Sequence, residues 1–145
     1  MCNCLKAAKY FLSLQDDDAG NAISNMKLQK LLYYAQGFAL VILNKPLFQD
    51  DFEAWEYGPV LRPVYDEYKR FGSSALPKPN DFSFSDYTKG EKDLFDAVYN
   101  EYGKYSAWAL SEMTHQTPPW KNTLRNHTIS KDAMKNYFST RIITD

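Results

Sequence analysis

Apolar residues recur at helical spacing through most of the chain, interrupted by short clusters of turn formers. Between residues 3 and 15, Cys4, Leu5, Ala8, Phe11 and Leu12 make one apolar stripe with Lys6, Lys9 and Ser13 off it, which predicts a first helix. The run Asp16-Asp17-Asp18-Ala19-Gly20-Asn21 breaks the pattern with turn residues. From the capping residue Ser24 onward, Leu28, Leu31, Leu32, Ala35, Ala39 and Ile42 form the stripe of a second helix, closed by Asn44-Lys45-Pro46. The other face of that helix carries Lys27, Lys30 and Tyr34 in one row and Gln29, Tyr33 and Gln36 in another. Gly37, inside the pattern, costs about 1 kcal/mol against alanine and suggests a close helix crossing.

Residues 47–59 change period. Phe52, Ala54, Glu56 and Gly58 alternate with Glu53, Trp55, Tyr57 and Pro59, so a short β-hairpin is expected around residues 47–58. Gly58-Pro59 is read as the opening of a third helix, with Val60, Leu61, Val64, Tyr65, Tyr68 and Phe71 on its buried face and Gly72 as its stop. Arg62 and Asp66 stand i, i+4 on its outside. Residues 73–87 read as a long connection pinned by Phe82 and Phe84. Thr88 and Glu91 match a capping box before a helix that buries Leu94, Phe95, Val98, Tyr99 and Tyr102 and ends at Gly103. Another helix runs from Ser106 through Trp108, Ala109, Leu110 and Met113 to His115, and Pro118-Pro119 terminates it. Ser130 caps a last helix burying Ala133, Met134, Tyr137 and Phe138. The expected fold is mainly α, a single compact bundle of about five to six helices, as one domain over 1–145 with a short tail from about residue 140.

Charge and composition narrow the function. The 145 residues hold 17 Lys and Arg against 18 Asp and Glu, a formal charge of −1, which argues against a nucleic-acid partner held by mass charge. With 44% apolar and 24% charged residues the chain is globular rather than disordered. Tyrosine is in excess: 11 Tyr, 9 Phe and 3 Trp favour wet-edged cores and sticky interfaces. The longest apolar run, Phe38 to Leu43, is far short of the ~20 residues of a membrane span. Lys6 and Lys9 interrupt any secretory signal, so the cytoplasm is the expected compartment.

Reactive groups are few. Cys2 and Cys4 are too close to frame a disulfide and too few for a structural zinc site without an unlikely convergence with His115 and His127. Asp16-Asp17-Asp18 lacks the later ligands of a calcium loop, and Lys27 stands where the twelfth ligand is required. Neither a metal nor any other cofactor is expected. Ser111, Glu112 and His115 imitate a serine, acid and histidine set on one helix, but no nucleophile elbow accompanies them, and no catalytic residue is assigned. His115 also suits a helix C-terminus, where its ring bonds a free carbonyl or favours the dipole. The Lys27, Lys30, Tyr34 row reads either as a solvated face or as a surface for an acidic partner or nucleic acid. Trp55 and Tyr57, in a short extended segment beside Gly-Pro, either seal the core or anchor an interface.

Three stretches together resemble a known family: Met26-Lys27-Leu28-Gln29-Lys30-Leu31-Leu32-Tyr33-Tyr34-Ala35-Gln36-Gly37, then Phe52-Glu53-Ala54-Trp55-Glu56-Tyr57-Gly58-Pro59-Val60, then Leu110-Ser111-Glu112-Met113-Thr114-His115 followed by Pro119-Trp120. In order and approximate spacing they are similar to the Panacea domain of SocA-like antitoxins, a group that includes phage-associated and GepA-like proteins of mobile elements. The resemblance implies a mainly helical protein without a catalytic site, which neutralises a cognate protein toxin by direct binding and in some cases hands it to a protease. Its candidate partner-binding residues here are Lys27, Lys30, Tyr34, Trp55, Tyr57 and His115. From other classes, a small hydrolase using His115 with Glu112 and an RNA-binding module using tyrosine faces remain as alternatives.

Overall fold

The computed structural model describes residues 2–15 and 22–142; the turn expected at residues 16–21 and the end of the tail lie outside them. In chain order the elements are α1 (Cys4–Ser13), α2 (Asn25–Ile42), β1 (Glu53–Trp55), β2 (Gly58–Val60), α3 (Arg62–Tyr68), α4 (Lys89–Tyr102), α5 (Ala107–His115), α6 (Pro118–Lys121) and α7 (Lys131–Ser139), with 3₁₀ turns at Lys69–Phe71 and Phe84–Asp86. The fold is mainly α, as expected. Its extra helix is α6, a single turn in which Pro118 and Pro119 start a new element as well as ending α5, since the first turn needs no N–H from them.

Side-chain caps explain where most helices begin. Asn3, Ser24, Ser106 and Ser130 each accept a bond from the backbone amide three residues on. Thr88 and Glu91 complete the capping box in both directions, at 3.1 and 2.9 Å.

Helix α2 is the axis of the molecule. It packs against α1, α3, α4, α5, α7 and β2, and it is buried along most of its length, reaching solvent most at its last turn, where Ile42 is 56% exposed. The two polar rows are therefore not solvated faces. Gln29 and Gln36 are buried and clasp backbone: Gln36 accepts from the Leu47 amide and donates to the Phe48 carbonyl, both at 2.8 Å. That clasp also relocates the hairpin. Leu47 and Phe48 give these groups to Gln36 rather than to a ladder, and pairing starts only at Glu53, opposite Val60.

Gly58 and Pro59 form β2 instead of opening a helix, and α3 begins at Arg62. Proline is tolerated mid-strand because its partner Ala54 turns both backbone groups the other way, to His127 and Asn126 at 2.9 and 2.7 Å. Arg62 reaches Glu53 at 3.1 Å rather than Asp66, which faces Lys69 at 3.6 Å. The 73–87 connection is pinned as expected: Phe82, Phe84 and Tyr87 meet Tyr10 edge-on at 5.8, 5.7 and 5.1 Å. Cys2 and Cys4 dock in the core, and burial pushes both thiols up to about 12, which keeps them protonated and inert.

Candidate partner-binding site

The hairpin turn is held from below by two helices. Ser111 on α5 donates to the Tyr57 carbonyl at 2.5 Å, and Lys30 on α2 donates to the Pro59 carbonyl at 3.3 Å. Between them Gly58 adopts φ +120°, and a Cβ there would stand 2.8 Å from Thr114 Oγ1 and 2.9 Å from Lys30 Cε. Glycine is required both for the angle and for the approach. With its backbone fixed, the turn presents Tyr57 outward, 51% exposed. Trp55 is half-buried: its ring meets Tyr65 edge-on at 4.9 Å, Arg62 lies 5.2 Å above it, and its Nε1 donates to Glu53 at 3.0 Å.

These residues frame a cavity of about 650 Å³, open on one side, between the start of α2, the hairpin tip, α3 and the start of α5. Its walls include Met26, Lys30, Trp55, Tyr57, Tyr65 and Ala107, a largely apolar lining of the kind that binds ligands or protruding side chains. Most polar side chains along it are engaged. Gln29 accepts from the Leu61 amide at 2.8 Å and donates to Asn25 at 3.0 Å, and Asn25 donates to the Tyr65 carbonyl at 3.2 Å. Lys30 is the exception in kind: it is 1% exposed, and burial drives its amine down to about 7, because a charge removed from water is costly.

The structure thus brings Lys30, Trp55 and Tyr57 to one place and separates the other candidates. Lys27 is buried, and its Nζ donates to the Gly103 carbonyl at 2.6 Å, closing the C-terminus of α4 with a cation; burial lowers its amine too. Tyr34 is 4% exposed, stacked on Tyr102 at 4.0 Å and 8°, and burial raises its phenol. The expected lysine–tyrosine row has no outer surface: the end of α4 and the α7 ring of Phe138 cover Lys27 and Tyr34, and the Gly58-Pro59 strand covers Lys30. His115 ends α5, stacked on Trp120 at 4.2 Å, with Arg125 3.7 Å from the same indole. Its Nε2 is buried without a hydrogen-bond partner, and Ser111, whose hydroxyl serves the Tyr57 carbonyl, is not joined to it. Trp120 connects this stack to the hairpin through Nε1 to the Trp55 carbonyl at 2.8 Å.

Sequence reasoning missed Tyr65 and Met26 as wall residues and Trp108, 63% exposed, as the aromatic one turn before Ser111. All three sit in ordinary helical runs, and only tertiary folding brings Tyr65 and Met26 to one wall. Among the described residues no cluster of His, Cys, Asp and Glu stands ready to hold a metal, and no helix is long and apolar enough to cross a membrane.

Comparison with known proteins identifies the fold's family. The model described as "Antitoxin SocA-like, Panacea domain" matches residues 28–121, well over half of the chain, and the protein belongs to that family. The hairpin, the α5 anchor and most of the cavity wall fall inside the matched range. A curated relative, "Antitoxin SocA" of Caulobacter vibrioides (strain NA1000 / CB15N), is 56% identical over 43 residues, 30% of this chain and 23% of the relative. The aligned stretch therefore spans less than a quarter of that relative. No solved structure matches the chain.

Proposed function

We propose that this protein is an antitoxin-like module that binds a cognate protein toxin directly and blocks it. The match of the antitoxin family model over residues 28–121 carries this reading. The cavity and the exposed ring of Tyr57 in its wall support it, since an aromatic anchor beside a concave slot suits a protein interface. Delivery of the bound toxin to a protease is a further mode of the same binding, and the cytoplasm is the compartment it requires.

The test is co-expression of the chain with the product of the neighbouring gene. Growth arrest by the neighbour alone, relieved by this chain through a complex that copurifies at a fixed ratio, is the expected result. A harmless neighbour, or arrest that the chain does not relieve, would overturn the reading. Toxin that disappears only in protease-competent cells would identify delivery, and stable toxin in the complex would identify blocking alone.

A further inference from the structure

No acidic residue stands between Glu112 and Asp132, a stretch that holds His115, Lys121, Arg125, His127 and Lys131. In a chain of net charge −1 this is a local excess of basic groups, and the fold gathers part of it around one guanidinium. Arg125 lies 3.7 Å from the Trp120 ring, and its Nη2 donates to the Trp120 carbonyl at 2.9 Å and to the Thr123 carbonyl at 2.8 Å. It thereby ties the peptide leading into Lys121 to the peptide leading into Leu124. Both of those side chains are exposed, Leu124 at 72%, the most of any large apolar residue described. The loop is pinned so that it cannot fold the leucine away. Its Asn122 and Thr123 amides bond back to Pro118 and Trp120 at 2.8 and 3.2 Å, its His127 amide to Leu124 at 3.0 Å, and its Asn126 amide to Ala54 in β1.

These charges are unspent within the chain. Among the described residues no ion pair engages Lys121 or Arg125. The acids of neighbouring elements are committed or apart: Glu53 is bound to Arg62 at 3.1 Å and Asp51 to Lys131 at 2.6 Å, and no ion pair engages Glu56 or Glu112. A guanidinium already held by an indole and two carbonyls is pre-organised, so it loses little freedom when a carboxylate binds. Nucleic acid fits this surface less well. A phosphate backbone calls for a longer row of cations. His115 at 4.2 Å and Arg125 at 3.7 Å also take opposite faces of the Trp120 ring, which leaves none for a base to stack on. An exposed leucine between two unpaired cations instead matches an apolar residue flanked by carboxylates.

We propose that the Lys121–Arg125 loop docks an acidic segment of the protein partner, whose Asp or Glu carboxylates pair with Lys121 and Arg125 while an apolar residue between them covers Leu124. This rests on the antitoxin reading for the existence of a protein partner. Asn126, in the same loop, is also part of the cavity wall, so a partner seated at the cavity lies next to this surface. Exposed charges of this kind set the choice and the approach of the partner more than the total affinity.

The full chain, isotopically labelled, is titrated at low ionic strength with N-acetyl-Glu-Asp-Leu-Glu-Asp-amide and with its neutral Gln-Asn-Leu-Gln-Asn counterpart. The acidic peptide is expected to shift resonances of Thr123, Leu124, Arg125 and the Trp120 indole. It should bind about tenfold tighter than the neutral one, as a few exposed ion pairs together give, and added salt should erase the difference. Arg125→Gln and Lys121→Gln should each cut the preference, and Leu124→Ala should weaken both peptides alike. Lys78→Gln, in the 73–87 connection, should change nothing. The Lys121 variant keeps the test intact if loss of Arg125 loosens the loop, since the Lys121 side chain makes none of the loop's bonds. Equal affinity of the two peptides, absence of binding by the acidic one, or shifts confined to another surface would each overturn the proposal. So would a uridine oligonucleotide that moves these resonances where the acidic peptide does not. A chain that relieves its toxin yet ignores the acidic peptide loses this surface and keeps its antitoxin reading. Preference for the acidic peptide without any relief of toxicity does the reverse.

Discussion

The ring of Phe138 on α7 lies against the bare backbone of Gly37 on α2. A Cβ at position 37 would stand 2.6 Å from the ring's Cζ and closer still to Cδ2 and Cε2, so the two helices approach as near as they do only because residue 37 has no side chain. Phe138 is fully buried there and touches Tyr33, Tyr34 and Phe38 edge-on. Helix propensity favours Gly37→Ala by about 1 kcal/mol, but the overpacked ring costs about 1–3 kcal/mol. The substitution is expected to be net destabilising by urea denaturation. A stability equal to or above that of the native chain would show that α7 can retreat freely.

Tyr33 and Thr117 share a buried hydrogen bond of 2.7 Å whose direction can be assigned. Thr117 Oγ1 donates its own hydrogen to the Thr114 carbonyl at 2.6 Å, so Tyr33 must donate to Thr117. The two deletions are then unequal. Thr117→Val leaves the Tyr33 hydroxyl buried without a partner and should cost about 1–3 kcal/mol, while Tyr33→Phe loses only a net bond of about 1 kcal/mol. Thermal or urea melts of both variants check the order, and a costlier Tyr33→Phe would reverse the assignment.

Lys30 links stability to pH. Its amine titrates near 7 in the fold, against about 10.4 in an unfolded chain. Below pH 7 both states are protonated, and the native state carries the full cost of burying the charge. Between pH 7 and about 10 the unfolded chain keeps a proton that the native chain has released, so stability rises with pH. The comparison with Lys30→Met isolates this residue, because the tyrosine and cysteine contributions cancel. The stability of the native chain minus that of the variant should climb between pH 7 and 9.5 by at most about 1.4 kcal/mol per pH unit. Near pH 6 the variant should be at least as stable as the native chain, since an apolar replacement of a buried charge is often neutral or better. A difference that stays flat across this range would mean that the amine keeps its solvent.

Helix caps were the most legible part of the sequence, because a Ser or Thr acceptor three residues ahead of an amide is local chemistry. Ser24, Thr88 with Glu91, and Ser130 all act where expected, and Ser106 caps the helix expected to start beside it. The surroundings of α2 were harder to read. A row such as Gln29, Tyr33 and Gln36 looks the same whether it meets water or clasps buried backbone. The signal that separates the two is the unbroken Leu31-Leu32-Tyr33-Tyr34-Ala35 run, since a helix apolar on all sides is a buried one. Gly58-Pro59 was ambiguous for a different reason: proline's fixed angle suits a strand lacking a donor as well as a first helical turn. At the cavity, Lys30, Trp55 and Tyr57 could be singled out by residue type, whereas Tyr65 and Met26 join them only through tertiary folding. Lys27 was a plausible contact by the same logic, yet it caps α4 from within.

Tyr57 and Trp108 separate binding from folding most cleanly. Both rings are largely exposed, at 51% and 63%, and the bond that fixes the turn uses the Tyr57 backbone rather than its ring. Truncating surface rings away from such anchors normally changes stability by no more than about 0.5 kcal/mol. A central aromatic at a protein interface contributes about 2 kcal/mol or more to affinity, which corresponds to a loss of roughly thirtyfold in binding. Tyr57→Ala and Trp108→Ala are therefore expected to melt with the native chain but to relieve toxin-induced growth arrest poorly, the double variant worst. Asn100→Ala, on the exposed outer face of α4, serves as the control and should neutralise fully. If the double variant neutralises as well as this control, the toxin is gripped elsewhere and the aromatic rim is ordinary surface.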